Sequence, residues 1–152
     1  AGVARRFTER GTFGGALLVD DYAHLPAEIE AAIAAARSHP SCSGRVVAVF
    51  QPNRFHRIAT MADTYANCFR NADRIVITDV YASGTPRIEG VTGELVVKAV
   101  NQSNPGAEVV WAPQRTDVVA AVAQWLSPGD VCLSMGCGDI ETFPDDLREA
   151  QS

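Results

Sequence analysis

The sequence predicts an α/β fold with a mostly parallel sheet of five to six strands. Short apolar runs rich in Val and Ile alternate with segments of helical periodicity, which is typical of parallel strands joined by helices. The chain has 152 residues, of which 47% are hydrophobic and 20% charged, enough to bury one sizeable core. We therefore expect a Rossmann-like three-layer sandwich in a single domain, preceded by an N-terminal hairpin or edge strand.

The strands are predicted in the order in which apolar runs occur. Residues 3–8 alternate loosely, and the turn-rich residues 9–15 lead into the first apolar run, which favours a hairpin or an edge strand at this end. The strands of the parallel sheet are expected near residues 16–20, 45–50, 74–78, 108–111 and 130–134. A helical pattern follows each of them.

The first helix carries a start and a stop signal. Pro26 suits the first helical turn, where a missing N–H is not costly, and His39-Pro40 ends the pattern. Ile29 and Ile33 share one face and are expected in the core.

Three threonines are predicted to begin the following helices. Thr60 opens a segment that resembles a capping box, with Met61, Tyr65 and Phe69 on one apolar stripe. Thr92 and Thr116 are predicted to cap the third and fourth helices.

Composition excludes several classes of partner. The net charge is −5 at pH 7 and the basic residues are scattered, which disfavours nucleic-acid binding. The apolar runs are too short to cross a bilayer and no leader opens the chain, so we expect a cytoplasmic protein with no membrane partner. The cysteines form no C-x-x-C pair and the histidines have no zinc-type spacing, which predicts reduced thiols and no metal site. A small-molecule partner is favoured.

Polar residues cluster directly after the predicted strands. In an open parallel sheet, ligands bind outside the carboxyl ends of the strands. The residues at these positions are Asp20, Asp21, Tyr22 and His24; Gln51, Asn53, Arg54, His56 and Arg57; Asp79 and Tyr81; Gln114 and Arg115; and Gly136, Gly138 and Asp139. One edge of the sheet is therefore predicted to carry nearly all of the side chains suited to ligand binding.

Each cluster also has a structural interpretation. Arg54 and Arg57 are three residues apart, so both could face one anion, or both could be solvated at the surface. Asp20 or Asp21 could cap the first helix, and His24 could be structural.

The segment 136–139, G-C-G-D, resembles the opening of a nucleotide-binding loop but lacks the third glycine. A tight turn with Asp139 as the cap of the last helix is the alternative. The sequence contains no phosphate-binding P-loop motif.

Several segments carry a family resemblance. Residues 20–26, D-D-Y-A-H-L-P, resemble the D-D-Y-[GA]-H-H-P motif of the C-terminal domain of Mur ligases. Residues 50–57, 78–84 and 136–140 resemble that family's F-Q-P-x-R-[YF]-x-R, D-V-Y-A-A-G and G-A-G-[DN]-I motifs, and residues 2–7 resemble the segment before the domain. The arginine-containing motif is similar to that of the members which join L-alanine to UDP-N-acetylmuramate in peptidoglycan synthesis.

The resemblance implies one part of a three-domain ATP-dependent ligase. The first domain would hold UDP-N-acetylmuramate, the central domain ATP and Mg²⁺, and the third L-alanine; the reaction would pass through an acyl phosphate. Residues 1–14 would be an interdomain linker or edge strand, and residues 15–152 the C-terminal domain. Without a P-loop, the chain alone is expected to be inactive.

Site residues follow from the same resemblance. Arg54 and Arg57 would hold the alanine carboxylate, Tyr22 and His24 would line the amino-acid site, and Asp21 would contact ATP on its ribose or adenine side. Leu25 departs from the family pattern, which has histidine there, and no role is assigned to it.

Two alternatives remain open on the sequence alone. A free-standing Rossmann-like nucleotide-binding module would fit the G-C-G-D turn, and a Mur ligase of different amino-acid specificity would share most of the motifs.

Overall fold

The computed structural model describes residues 6–151, which form a six-stranded sheet covered by helices on both faces. The strands are β1 (Thr8–Phe13), β2 (Ala16–Asp21), β3 (Val46–Phe50), β4 (Arg74–Ile77), β5 (Glu108–Trp111) and β6 (Val131–Met135). Their order across the sheet is β1-β2-β6-β3-β4-β5. Only β1 runs antiparallel, paired with β2, and the other described pairs are parallel. The predicted fold class is confirmed.

The helices divide between the two faces of the sheet. They are α1 (Pro26–Ser38), α2 (Phe55–Met61), α3 (Glu94–Ser103), α4 (Arg115–Trp125) and α5 (Phe143–Ala150), with 3₁₀ turns at Ala62–Tyr65 and Asp139–Thr142. Buried side chains of α1, α2 and α3 belong to one core cluster, and those of α4 and α5 to another. The molecule is therefore a three-layer sandwich.

Strand β3 shows why the sheet needs both layers. All five of its residues are fully buried. Successive side chains point to opposite faces, so Ala48 and Phe50 join the first core cluster whereas Val47 and Val49 join the second. A continuous Val-rich run is the sequence expected of a strand covered on both faces.

The N-terminal hairpin is present, but its first strand lies later in the chain than predicted. Strand β1 covers residues 8–13, which the sequence had assigned mainly to a turn, while residues 3–5 lie outside the described part. A register shift between Glu9 and Thr12 interrupts the alternation that marks a strand. The turn itself is Gly14-Gly15, whose φ angles of 56° and 84° favour glycine and suit a two-residue hairpin.

The first helix matches its prediction, whereas the second does not. Helix α1 begins at Pro26 and fully buries Ile29 and Ile33. Helix α2 begins at Phe55, five residues before Thr60, whose hydroxyl donates to the His56 carbonyl inside the helix. The capping interpretation of Thr60 was wrong because pairing of residues 52–54 with another loop fixes where the helix starts.

The apolar stripe assigned to this region is only partly core. Tyr65 and Phe69 are 1% exposed, but Met61 is 41% exposed. The chain changes from α-helix to 3₁₀ turn at Ala62, which rotates the later residues off the face that a continuous helix would give.

Three other cap predictions have mixed outcomes. The Thr92 hydroxyl accepts from the Glu94 N–H, the first residue of α3, but the cap position itself is taken by Gly93, one residue later than predicted. Thr116 lies inside α4, which is preceded by Gln114; the Asp117 carboxylate accepts from the Gln114 N–H instead. Asp139 does not cap α5, which begins four residues later.

Among the helices of residues 6–151, none combines the length and apolar character that a membrane span requires.

Candidate functional site

The two predicted substrate turns lie at the same edge of the sheet. Because β2, β6 and β3 are mutually parallel, the loops that follow them leave the sheet on one side. The turn with Tyr22 and His24 follows β2, and the turn with Arg54 follows β3. One strand, β6, separates β2 from β3 in the sheet. This is the placement expected from the sequence.

The arginine turn is held in an unusual backbone conformation. The Arg54 N–H donates to the Tyr81 carbonyl, and the Tyr81 N–H donates to the Pro52 carbonyl, both at 2.8 Å. These bonds hold Arg54 at φ 67° and ψ 111°, a region that side chains other than glycine rarely occupy. Such strain costs on the order of 1–3 kcal/mol and is concentrated at functional sites.

The guanidinium groups of this turn have no acidic partner within residues 6–151. The Arg54 side chain is exposed and, within residues 6–151, has no hydrogen-bond or ion-pair partner. Arg57 is half-buried and donates to the Asn53 side-chain oxygen at 3.0 Å, a neutral acceptor. In contrast, Arg115 at the same edge is ion-paired with Asp146 at 2.7 Å and with Asp139 at 3.4 Å. Arg54 and Arg57 are therefore available to an external anion, whereas Arg115 is structural.

The histidine of the first turn is oriented by two acceptors. Its Nδ1 atom lies 3.2 Å from the Tyr22 carbonyl and 3.4 Å from the Glu28 carboxylate. Because both are acceptors, Nδ1 carries a hydrogen, and when the ring is neutral its lone pair is at Nε2. Tyr22 is 36% exposed, and its ring meets the His24 ring edge-on at a centroid distance of 5.3 Å. An imidazole ring and a phenol ring thus lie together at this edge of the sheet.

Glu28 stabilises the start of α1 through hydrogen bonds to the preceding backbone. Its carboxylate accepts from the backbone N–H groups of His24 and Leu25, at 3.1 and 3.0 Å. Burial, the largest single effect, raises the pKa of Glu28, but these two hydrogen bonds and the positive charges of His24 and Arg6 together outweigh it and hold the pKa below its ordinary value of 4.5. The turn that carries His24 is therefore fixed by an ionised carboxylate.

Replacing Glu28 with glutamine should weaken the acid dependence of stability. Because the folded-state pKa is lowered, Glu28 stabilises the fold above pH 4.5, and this contribution is lost as the pH falls through the lowered pKa. Glutamine keeps an acceptor but cannot ionise. Urea midpoints of the native chain and of Glu28→Gln, measured from pH 7 downward, should converge in acid. Glu30→Gln, at an exposed position of the same helix, is the control; parallel curves for the native chain and Glu28→Gln would contradict the assignment.

Tyr65 holds the histidine turn from a distant part of the chain. Its hydroxyl donates to the His24 carbonyl at 2.8 Å, across 41 residues of sequence. Burial raises the pKa of Tyr65 to about 12, although the nearby positive charge of Arg57 opposes this shift, so the hydroxyl remains a neutral donor. Its ring packs on Phe50 at a centroid distance of 5.4 Å. Sequence analysis predicted Tyr65 as core but missed this bond; a buried tyrosine, whose hydroxyl needs a partner, was the available signal.

Asp21 is tied to the backbone and does not cap α1. Its Oδ1 accepts from the Ala23 N–H and its Oδ2 from the Phe7 N–H, both at 2.8 Å. The helix is preceded by Leu25 instead, so capping by Asp20 or Asp21 was wrong. A carboxylate retains further lone pairs after two such bonds, and a contact with ATP stays a prediction.

A cavity of about 390 Å³ opens beside Asp21 and Tyr22, between residues 6–7 and α1. Arg54 and Arg57 do not line it. The two turns therefore share no wall of this cavity.

The G-C-G-D turn has an internal explanation. A Cβ atom at Gly138 would overlap the Tyr81 ring and the Gln51 side-chain oxygen, so glycine is needed for close packing between loops. Asp139 accepts from the Gln51 side-chain amide at 2.7 Å, which accounts for its position without a helix cap. The loop supports the arginine turn and gives no specific sign of a nucleotide.

All four cysteines are free thiols. Burial raises the pKa of Cys68 and of Cys132 to about 12, so neither is reactive near neutral pH. Within residues 6–151, no group of three acidic, histidine or cysteine side chains is arranged to hold a metal ion.

Comparison with known proteins points to one family. The family model "Mur ligase, glutamate ligase domain" matches residues 5–138. The UDP-N-acetylmuramate–L-alanine ligase of Agrobacterium fabrum is 41% identical over 152 residues, covering 97% of this chain and 32% of the relative. The corresponding ligase of Rickettsia typhi is 37% identical over 147 residues, covering 96% and 30%. The chain thus spans about 30% of the length of the curated relatives it matches.

Solved structures agree. A UDP-N-acetylmuramate-alanine ligase from Thermotoga maritima superposes with a TM-score of 0.76 and 25% identity, over 99% of this chain and 30% of that one. A murein peptide ligase from Psychrobacter arcticus superposes with a TM-score of 0.75 and 20% identity, over 96% and 29%, which supports the fold alone.

Proposed function

The chain belongs to the Mur ligase family, and from this premise we propose that it is the amino-acid-binding, C-terminal domain of a longer ATP-dependent ligase that joins L-alanine to UDP-N-acetylmuramate. The observation that carries the proposal is the pair of arginines at the carboxyl edge. Arg54 is strained and exposed, and Arg57 is paired only with a neutral amide among the described residues. Both follow β3, which a single strand, β6, separates from the strand that precedes Tyr22 and His24. The relatives named as alanine ligases make the alanine carboxylate the natural anion.

Each residue has a distinct task in this proposal. The planar guanidinium groups of Arg54 and Arg57 bind the alanine carboxylate, for which their donor geometry is suited. Tyr22 lines the amino-acid site, and the Nε2 lone pair of His24 accepts a hydrogen bond from the alanine amine. Asp21 contacts ATP on its ribose or adenine side.

The chemical contribution of the domain is positioning. Fixing an amine beside the carboxyl group that it attacks can be worth as much as about 7–11 kcal/mol in barrier height at the upper end. ATP would supply the phosphoryl group that activates the lactyl carboxylate as an acyl phosphate. The sequence has no P-loop, so the binding of Mg²⁺ and of the ATP phosphates is assigned mainly to the rest of the longer protein.

Two further features complete the proposal. Residues 1–14 serve as interdomain linker and edge strand and residues 15–152 as the domain, although β1 is hydrogen-bonded to β2 and therefore joins the sheet. Because the proposed reaction consumes ATP within peptidoglycan synthesis, we propose that the full protein works in the cytoplasm.

The test compares the chain with the full-length protein that carries it. Each is mixed with ATP, UDP-N-acetylmuramate and an amino acid, and phosphate release is measured. The chain alone should release none, whereas the full-length protein should, with a higher kcat/KM for L-alanine than for glycine or serine. Turnover by the chain alone, or preference for another amino acid, would overturn the proposal. Tight binding of NAD or ATP to the chain alone would instead favour a free-standing nucleotide-binding module.

A further inference from the structure

Asn53 is hydrogen-bonded to the Arg57 guanidinium. Its side chain is 4% exposed, and its backbone forms an isolated parallel bridge with Tyr81. The side-chain oxygen accepts from Arg57 Nη1 at 3.0 Å, four residues along the chain. A buried residue anchored through its backbone therefore orients a half-buried guanidinium.

The chemical nature of this acceptor decides what Arg57 can do. A carboxylate partner neutralises a guanidinium, as Asp146 does for Arg115 at 2.7 Å. The Asn53 amide is neutral, so it restricts the orientation of Arg57 without reducing its attraction for an anion. A guanidinium has five N–H donors, and the bond to Asn53 occupies one of them. The remaining donors are left for a ligand.

We propose that Asn53 is a positioning residue for carboxylate recognition, fixing the Arg57 guanidinium while leaving its charge to the substrate. This inference rests on the proposed function, because it needs Arg57 to bind the amino-acid carboxylate. The inference adds a requirement that the sequence motifs do not state: the side chain at position 53 must accept a hydrogen bond from Arg57 and must be uncharged.

Two variants of the full-length ligase separate positioning from simple structural support. Asn53→Ala removes the acceptor and should raise the KM for L-alanine about threefold to tenfold, because Arg57 stays charged but is no longer held in the orientation that binds the carboxylate. Asn53→Asp preserves shape and acceptor but adds a negative charge that competes with the substrate carboxylate. It should raise the KM for L-alanine about tenfold or more, with kcat and the KM for ATP changed less than about twofold. A merely structural acceptor predicts the opposite order, because aspartate would bond Arg57 more strongly.

The matched control is Asn101→Asp, which adds the same charge at an exposed position of α3. It should leave every kinetic constant unchanged. Thermal melting verifies that each variant folds, and Asn53→Asp, which keeps the native shape, is the deciding one.

The outcomes separate this inference from the proposed function. If Arg54→Ala and Arg57→Ala leave the KM for L-alanine unchanged, the proposed function fails. If those two variants raise it but Asn53→Asp behaves like the native enzyme, only the role of Asn53 is overturned. A higher alanine KM in Asn53→Asp than in Asn53→Ala supports the inference.

Discussion

Replacing Arg54 with alanine in the full-length ligase should raise the KM for L-alanine by about tenfold or more, because a hydrogen bond between charged groups is worth about 1.5–3 kcal/mol. The KM for ATP should stay unchanged, since Arg54 is proposed to meet only the amino acid. Initial rates measured against each substrate in turn provide the check. Arg54→Lys keeps the charge but loses the planar fork, and should fall between the native enzyme and the alanine variant.

The backbone of Arg54 supplies an independent control. At φ 67° and ψ 111°, glycine is less strained than arginine, so Arg54→Gly should leave the chain as stable as before or more stable, while weakening alanine binding as much as Arg54→Ala does. Opposite effects on stability and affinity would mark a residue retained for function. An unchanged alanine KM in both variants would show that Arg54 is an ordinary surface residue.

The sheet could be predicted from sequence because its strands are buried on both faces. The five residues of β3 form an unbroken apolar run, and such a run has few alternatives to a central strand. Strand β1 lies exposed at the edge of the sheet, where side chains such as Glu9 and Arg10 need no alternation, and its register shift breaks the period further. Its position was therefore misjudged.

The candidate site depends on contacts between separate segments, which no local sequence pattern encodes. The Arg57 to Asn53 contact spans only four residues, but Asn53 lies before α2 and Arg54 between them is not helical, so helical spacing does not predict it. The start of α2 and the strained conformation of Arg54 depend on Tyr81, which belongs to a different loop, and no local pattern encodes that pairing. The link from Tyr65 to the His24 carbonyl is longer still. Sequence motifs thus indicated the residues that we propose to face a ligand, but not the residues that hold them in place.

The largest loss of stability is expected at Phe50, where the core supports the site. Phe50 is fully buried at the end of β3, and its ring lies 5.4 Å from the Tyr65 ring and 5.7 Å from the Phe69 ring. Phe50→Ala should lower the free energy of unfolding by about 3–5 kcal/mol, from lost apolar burial and from the cavity left between the two rings. Urea unfolding of this chain measures the change.

Controls distinguish packing from a general intolerance of substitution. Phe50→Leu retains most of the apolar volume and should cost clearly less than Phe50→Ala, and Met61→Ala, at a side chain that is 41% exposed, should change stability by less than about 0.5 kcal/mol. A loss below about 1 kcal/mol for Phe50→Ala would show that the ring is not packed as described. Because Tyr65 both packs on Phe50 and donates to the His24 carbonyl, the cavity should also loosen the histidine turn. In full-length enzyme that still folds, Phe50→Leu should therefore raise the KM for L-alanine while leaving the KM for ATP unchanged.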